Sequence, residues 1–271
     1  MYMPSDKDLQ ARIKEEAGSK ELVSYISNVR RDQIHQYFNN DPRMLELEKA
    51  YGKYLYVPLA LPVFEIPEKE HFLHWWNSNF TIPSKLKADE IFKEYGMSPF
   101  QAIDIIHKIG DHWDVNLKTE SFKKEFPKLY QQFFDQLPSD NILKITLWSS
   151  IKALPEHRDT GEVVDSPMSF RVKLYDENPE ETLFVFDNPL QPYSCETPTF
   201  LPRAPDTNSF VWNNLRVKHG SVYDPAYKKI LAVVVCPIDI ERYSSLMETS
   251  INMYKDYCIV SNNSIENYVN I

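Results

Sequence analysis

The sequence predicts an α+β protein in which helices pack against a β-sandwich or barrel. Three observations lead there. Apolar residues recur at helical spacing through most of residues 1–140, strand patterns take over from 141 to 238, and only 6 glycines occur in 271 residues. Scarce glycine, with no GxGxxG or GxxxxGK[ST] stretch, disfavours a nucleotide-binding α/β fold, whose phosphate loops need it. No internal repeat or low-complexity linker divides the chain, so one domain over 1–271 is expected.

The elements follow in order. Ser5-Asp6-Lys7-Asp8 has the form of a capping box, and Leu22, Val23, Ile26, Val29, Ile34 and Phe38 recur at helical spacing. Residues 54–66 (YLYVPLALPVFEI) are β-branched and aromatic but carry Pro58 and Pro62. Proline removes a ladder donor, so an edge strand is expected there. Helical patterns return over Lys69–Asn77, Lys87–Tyr95 and Pro99–Ile109. Phe122, Phe126, Leu129, Tyr130, Phe133, Phe134 and Leu137 form one apolar stripe, stopped by Pro138.

Strands are then expected at Asn141–Ile151 and at Phe170–Tyr175 (FRVKLY), which alternates with period 2. Turn residues 176–181 (DENPEE) lead to Thr182–Phe186 (TLFVF), so these two segments predict a hairpin. A proline-rich loop over 189–205 precedes strands at Ser209–Asn213 and Lys229–Cys236. Residues 239–271 are expected to be a closing helix, with Tyr243, Leu246, Met247, Ile251 and Tyr254 on one stripe, and a polar tail.

A net charge of −9 makes the chain a poor generic binder of nucleic acid or anionic membrane. Cys195, Cys236 and Cys258 fit no zinc spacing, and their odd number does not suggest a disulfide framework. Free thiols in a reducing cytoplasm are expected. Met1–Glu16 is charged and lacks an apolar h-region, which predicts no signal peptide. The longest apolar run, Ile230–Cys236, is too short to span a bilayer.

His157, Asp159 and His219 carry the chemistry. Two imidazoles and one carboxylate are the ligand set of a mononuclear non-haem Fe(II) site with open positions. The pattern alone is weak, because with 7 His and 39 acidic residues such triplets arise by chance. His112-Trp113-Asp114 has the same form, but it lies between helical patterns with no strand leading in. His157 and Asp159 follow a strand, and His219 follows another, so a barrel brings them together.

The segments LPEHRDTG, FRVKLY, TLFVFDN and FVWNNLRVKHGSVYDPAYKKILAVVV together resemble the double-stranded β-helix core of the Fe(II)/2-oxoglutarate-dependent oxygenases, over Ile142–Pro237. The last segment most resembles the aspartyl/asparaginyl β-hydroxylase-like branch. The resemblance implies a jelly-roll or cupin-like core at 141–238 with flanking, mainly N-terminal helices. It implies that His157, Asp159 and His219 bind Fe(II), with 2-oxoglutarate and O₂ as cosubstrates. Lys228 or Lys229, about ten positions past His219, or Arg171 on the FRVKLY strand, would hold the far carboxylate of 2-oxoglutarate. Arginine is more usual at that downstream position in the branch, so lysine is a departure. Arg171 and Lys173 share a strand face by alternation. The carboxylate at Asp159 favours hydroxylation over halogenation.

The implied reaction oxidises an unactivated C–H of an amino acid or peptide side chain, with 2-oxoglutarate going to succinate and CO₂. Trp113, Arg203, Trp212 and Asn213 are candidate substrate contacts; surface arginine, core tryptophan and turn asparagine are the competing roles. The alternative function is a cupin-like protein that binds a metal or ligand without redox chemistry.

Overall fold

A computed structural model describes residues 42–66, 68–81, 100–108, 117–150, 154–157, 168–186, 198–213 and 217–261. Its helices are α1 (Pro42–Tyr51), α2 (Lys69–Asn79), α3 (Thr119–Glu125), α4 (Pro127–Gln136) and α5 (Ile240–Met253). Its strands are β1 (Tyr54–Pro58), β2 (Phe100–His107), β3 (Lys144–Ser150), β4 (Leu154–His157), β5 (Met168–Asp176), β6 (Leu183–Phe186), β7 (Thr199–Phe200), β8 (Ser209–Asn213), β9 (Lys218–Ser221), β10 (Lys229–Val235) and β11 (Ile259–Val260). They form a long sheet in the order β11-β1-β8-β5-β10-β3-β2 and a short sheet in the order β4-β9-β6-β7. Every pairing between these strands is antiparallel. The protein is thus α+β, dominated by antiparallel sheet.

Alternation within strands gives the long sheet two different faces. Ile230, Ala232 and Val234 of β10, with Phe170, Val172 and Leu174 of β5, enter a large core shared with Phe72, Trp75 and Trp76 of α2 and Tyr243 and Met247 of α5. Leu231 of β10 packs instead with Phe210, Trp212, Leu183 and Val185, between the two sheets. Helices therefore cover one face and the short sheet covers the other. Each fully buried Val, Ile or Phe among them contributes roughly 1.5–3 kcal/mol. Asp239 starts α5 by accepting a hydrogen bond from the Arg242 amide at 3.0 Å, satisfying one orphan donor.

Several expectations change. The FRVKLY and TLFVF segments do not pair as a hairpin. β5 lies in the long sheet between β10 and β8, and β6 lies in the short sheet between β9 and β7. The turn between them crosses from one layer to the other. Pro99–Ile109 is not a helix but contains β2, whose Ile103, Ile105 and Ile106 are all buried. A register shift between Asp104 and Ile106 puts all three into one core and breaks the alternation that marks a strand. β1 is not the edge of its sheet, since β11 covers it, and it ends at Pro58 before Pro62 is reached. The single stripe from Phe122 to Leu137 is two helices, divided at Phe126 with Pro127 opening the second. His219 lies inside a short strand of its own, β9. The expectations for residues 1–41, 87–95 and 262–271 fall outside the described residues.

Candidate metal centre

His157 is the last residue of β4, and His219 is the second residue of β9. The ladder between these strands places His157 directly opposite His219, after an irregularity that follows Leu154↔Ser221. Opposed residues in an antiparallel ladder share a face, with Cα atoms about 4.5–5.5 Å apart. On its other side His219 faces Val185 of β6, which is fully buried. Two residues separated by a long stretch of chain are therefore neighbours in the short sheet. Asp159, two positions beyond β4, lies outside the described residues.

His219 is 4% exposed, and its imidazole stacks on the Trp212 indole with ring centroids 4.2 Å apart and planes at 29°. The Arg171 guanidinium lies over the same indole, 3.7 Å from the ring centroid. β8 explains the arrangement. Its alternate residues Phe210 and Trp212 turn towards the short sheet while Val211 joins the helical side. Arg171 of β5 is paired with Phe210 and reaches that same layer. Arg171 is buried, and an aromatic face is one of the few surfaces that accept a weakly hydrated guanidinium there.

The other basic candidates lie apart. Lys228 donates to Gln101 Oε1 at 2.7 Å and rests over the rings of Trp76 and Phe80; burial holds its pKa below the usual lysine range. Lys229 reaches Glu181 Oε1 at 3.0 Å and Asp176 Oδ2 at 3.7 Å, and it donates to Thr182 Oγ1. Lys173 pairs with Glu181 Oε2, and Arg203 approaches that oxygen at 3.5 Å and Asp176 at 3.3 Å. The amides of Thr182 and Leu183 donate to Glu181 Oε1 at 2.9 and 3.0 Å. Burial alone would raise the Glu181 pKa, but Lys229, Lys173 and these donors hold it down to about 2. For Lys173 burial prevails, and its pKa falls in spite of Glu181.

Among the described residues, no group of three or more His, Cys, Asp or Glu forms a metal cage. The register-opposed histidines nevertheless suit a divalent first-row metal, for which imidazole is a common ligand.

No protein-family profile and no curated protein matches the chain. Solved structures do. An oxidoreductase of the 2OG-Fe(II) oxygenase family from Burkholderia pseudomallei is 11% identical, with 69% of this chain and 85% of that one covered and a TM-score of 0.37. A prolyl-4-hydroxylase from Pseudomonas putida is 10% identical, with 70% and 96% covered and a TM-score of 0.36. A Trichoplax adhaerens prolyl hydroxylase, in complex with a hypoxia inducible factor peptide fragment, is 9% identical, with 85% and 98% covered and a TM-score of 0.36.

Of the candidate substrate contacts, Trp212 lies against His219, as described. Asn213 is fully buried and donates to the Gly52 carbonyl at 3.3 Å, tying β8 to the turn before β1. Arg203 belongs to the Glu181 network. Trp113, with His112 and Asp114, lies outside the described residues. Glu181 was legible only as turn chemistry in the sequence, since nothing local shows that three cations converge on it. Cys236 and Cys258 carry no disulfide. Among the described residues, no helix is long and apolar enough to cross a membrane.

Proposed function

We propose that the chain is an Fe(II)- and 2-oxoglutarate-dependent dioxygenase in which β3 to β10 form a double-stranded β-helix. The observation that carries this reading is the register of His157 with His219 in the short sheet. These two residues and Asp159 would hold Fe(II). Bound there, iron and 2-oxoglutarate supply O₂ activation, with oxidative decarboxylation to succinate and CO₂ coupled to hydroxylation of a substrate C–H. The protein orients and shields. Trp212 fixes the plane of the His219 imidazole and so the direction of its donor nitrogen, and burial at that ring excludes water.

Arg171 is the favoured holder of the far carboxylate of 2-oxoglutarate. It is a buried cation on the indole against which His219 stacks. The charge of Lys229 is already met by Glu181 and Asp176. Lys228 lies over rings of the helical side. The His-Gly-Ser of β9 followed by a basic opening to β10 leans towards the β-hydroxylase-like branch. A small polar substrate, an amino acid or a peptide side chain, fits that branch, and Asp159 favours hydroxylation.

Anaerobic titration with Fe(II) and 2-oxoglutarate tests this without a substrate. A visible metal-to-ligand charge-transfer band is expected, lost in His219→Ala and weakened in Arg171→Met. Metal binding with no band in the folded wild-type protein would instead favour the non-redox cupin-like reading. No metal binding would remove both.

A further inference from the structure

β8 is buried along its whole length, and its middle residues Phe210, Val211 and Trp212 are all apolar. Phe210 and Trp212 turn towards the short sheet and Val211 towards the helices. A slip of one residue would exchange these faces and turn Trp212 away from His219. Hydrophobic burial opposes such a slip only weakly, because apolar side chains suit either side. The register that makes the Trp212–His219 stack therefore needs a polar determinant.

Asn213, the last residue of β8, supplies one. By alternation its side chain joins Val211 on the helical side. It is 0% exposed and donates to the Gly52 carbonyl at 3.3 Å, 161 residues away in sequence. Its own carbonyl accepts the Val217 amide at 2.9 Å, two residues before His219. In the same register Tyr56 and Ser169 flank Trp212, and Met168 faces Asn213. One residue out of register, the amide would leave Gly52 and turn towards the apolar layer of Phe210, Leu183 and Val185, where an unpaired polar group is costly. A buried polar side chain that is satisfied in one arrangement discriminates where apolar neighbours do not.

We propose that Asn213 is a positioning residue. Its bond to Gly52 locks β8 in the register that holds Trp212 against His219. Burial keeps it from touching any substrate. Its bearing on chemistry rests on the reading of His219 as a metal ligand, whereas the lock itself does not.

A proton–carbon correlation spectrum of the histidine rings, recorded on the metal-free full chain, tests the lock. The His219 cross-peak, assigned by its loss in His219→Ala, should be displaced upfield by the indole ring current. Asn213→Leu keeps the volume and removes the donor. It should return that cross-peak towards its unstacked position and weaken binding of Zn(II), a redox-silent probe ion, about tenfold. Asn213→Ser, too short to reach Gly52, provides the same readout should Asn213→Leu fail to fold. Ser121→Ala removes a different hydrogen bond, from Trp75 on the helical side, and should leave cross-peak and affinity unchanged. The proposal is overturned if the wild-type cross-peak is not displaced, or if it stays displaced in both Asn213 variants. It is equally overturned if a measurable wild-type Zn(II) affinity survives the change undiminished. A displaced wild-type cross-peak that returns in the variants, in a protein without Zn(II) affinity, would remove the metal reading and support the lock.

Discussion

Replacing Glu181 by glutamine removes one negative charge and keeps the side-chain volume. The carboxylate is only 7% exposed, so solvent screening discounts little of its interaction. Its pKa falls from 4.5 to about 2. At about 1.4 kcal/mol per pKa unit, that shift corresponds to roughly 3 kcal/mol of stability at neutral pH. A folded pKa below the unfolded one stabilises above the unfolded pKa, and the contribution disappears as pH falls towards the folded pKa. Urea unfolding of wild type and Glu181→Gln at pH 7, 5, 3 and 2 measures it. The variant should be less stable by about 3–5 kcal/mol at pH 7, because three cations then surround Asp176 alone. The gap should narrow between pH 5 and 2, where the wild-type carboxylate takes up its proton. A gap that stays constant across that range, or a variant as stable as wild type at pH 7, would refute the electrostatic reasoning.

Other outcomes follow from packing and chemistry. Phe72→Ala, in the ring cluster with Trp75 and Phe126, should lower stability by about 3–5 kcal/mol in chemical denaturation. Thr146→Val removes the 2.6 Å hydrogen bond to buried Asp104 and should cost roughly 2 kcal/mol by the same assay. Asp239→Ala should cost about 1 kcal/mol by uncapping α5, with the loss read as a lower melting temperature. Burial pushes the Cys236 thiol up to about 12, so iodoacetamide at pH 8 should leave Cys236 unmodified until urea unfolds the chain, as peptide mass spectrometry would show.

Strand positions were legible wherever one face was polar or the apolar run was short. FRVKLY and SFVWN were located to within two residues of β5 and β8. Pairing was not legible, because alternation reports which face a side chain takes and says nothing about which strand lies alongside. That is why FRVKLY and TLFVF suggested a hairpin although they lie in different sheets. At 100–107 Ile103, Ile105 and Ile106 all enter the helical-side core because the ladder slips a residue between Asp104 and Ile106, and that irregularity breaks the period-2 signal. Lys218–Ser221 carried too little β-propensity to mark β9, so His219 was expected just beyond a strand. The proximity of His157 and His219 could be anticipated from element order alone, whereas the Arg171–Trp212–His219 stack needed the register between β5 and β8.

Four of the strand pairings are nested like brackets. β6 meets β7, β5 meets β8, β4 meets β9 and β3 meets β10. Of these four, only the innermost joins consecutive strands, and each outer pair must wait for a longer excursion of chain to return. Such nesting concentrates contacts at large sequence separation and predicts refolding in milliseconds to seconds rather than microseconds. The two histidines belong to the third bracket. The proposed metal binding should therefore emerge only after the two inner pairs have formed, and stopped-flow mixing with a chromophoric metal, read beside tryptophan fluorescence, would time it.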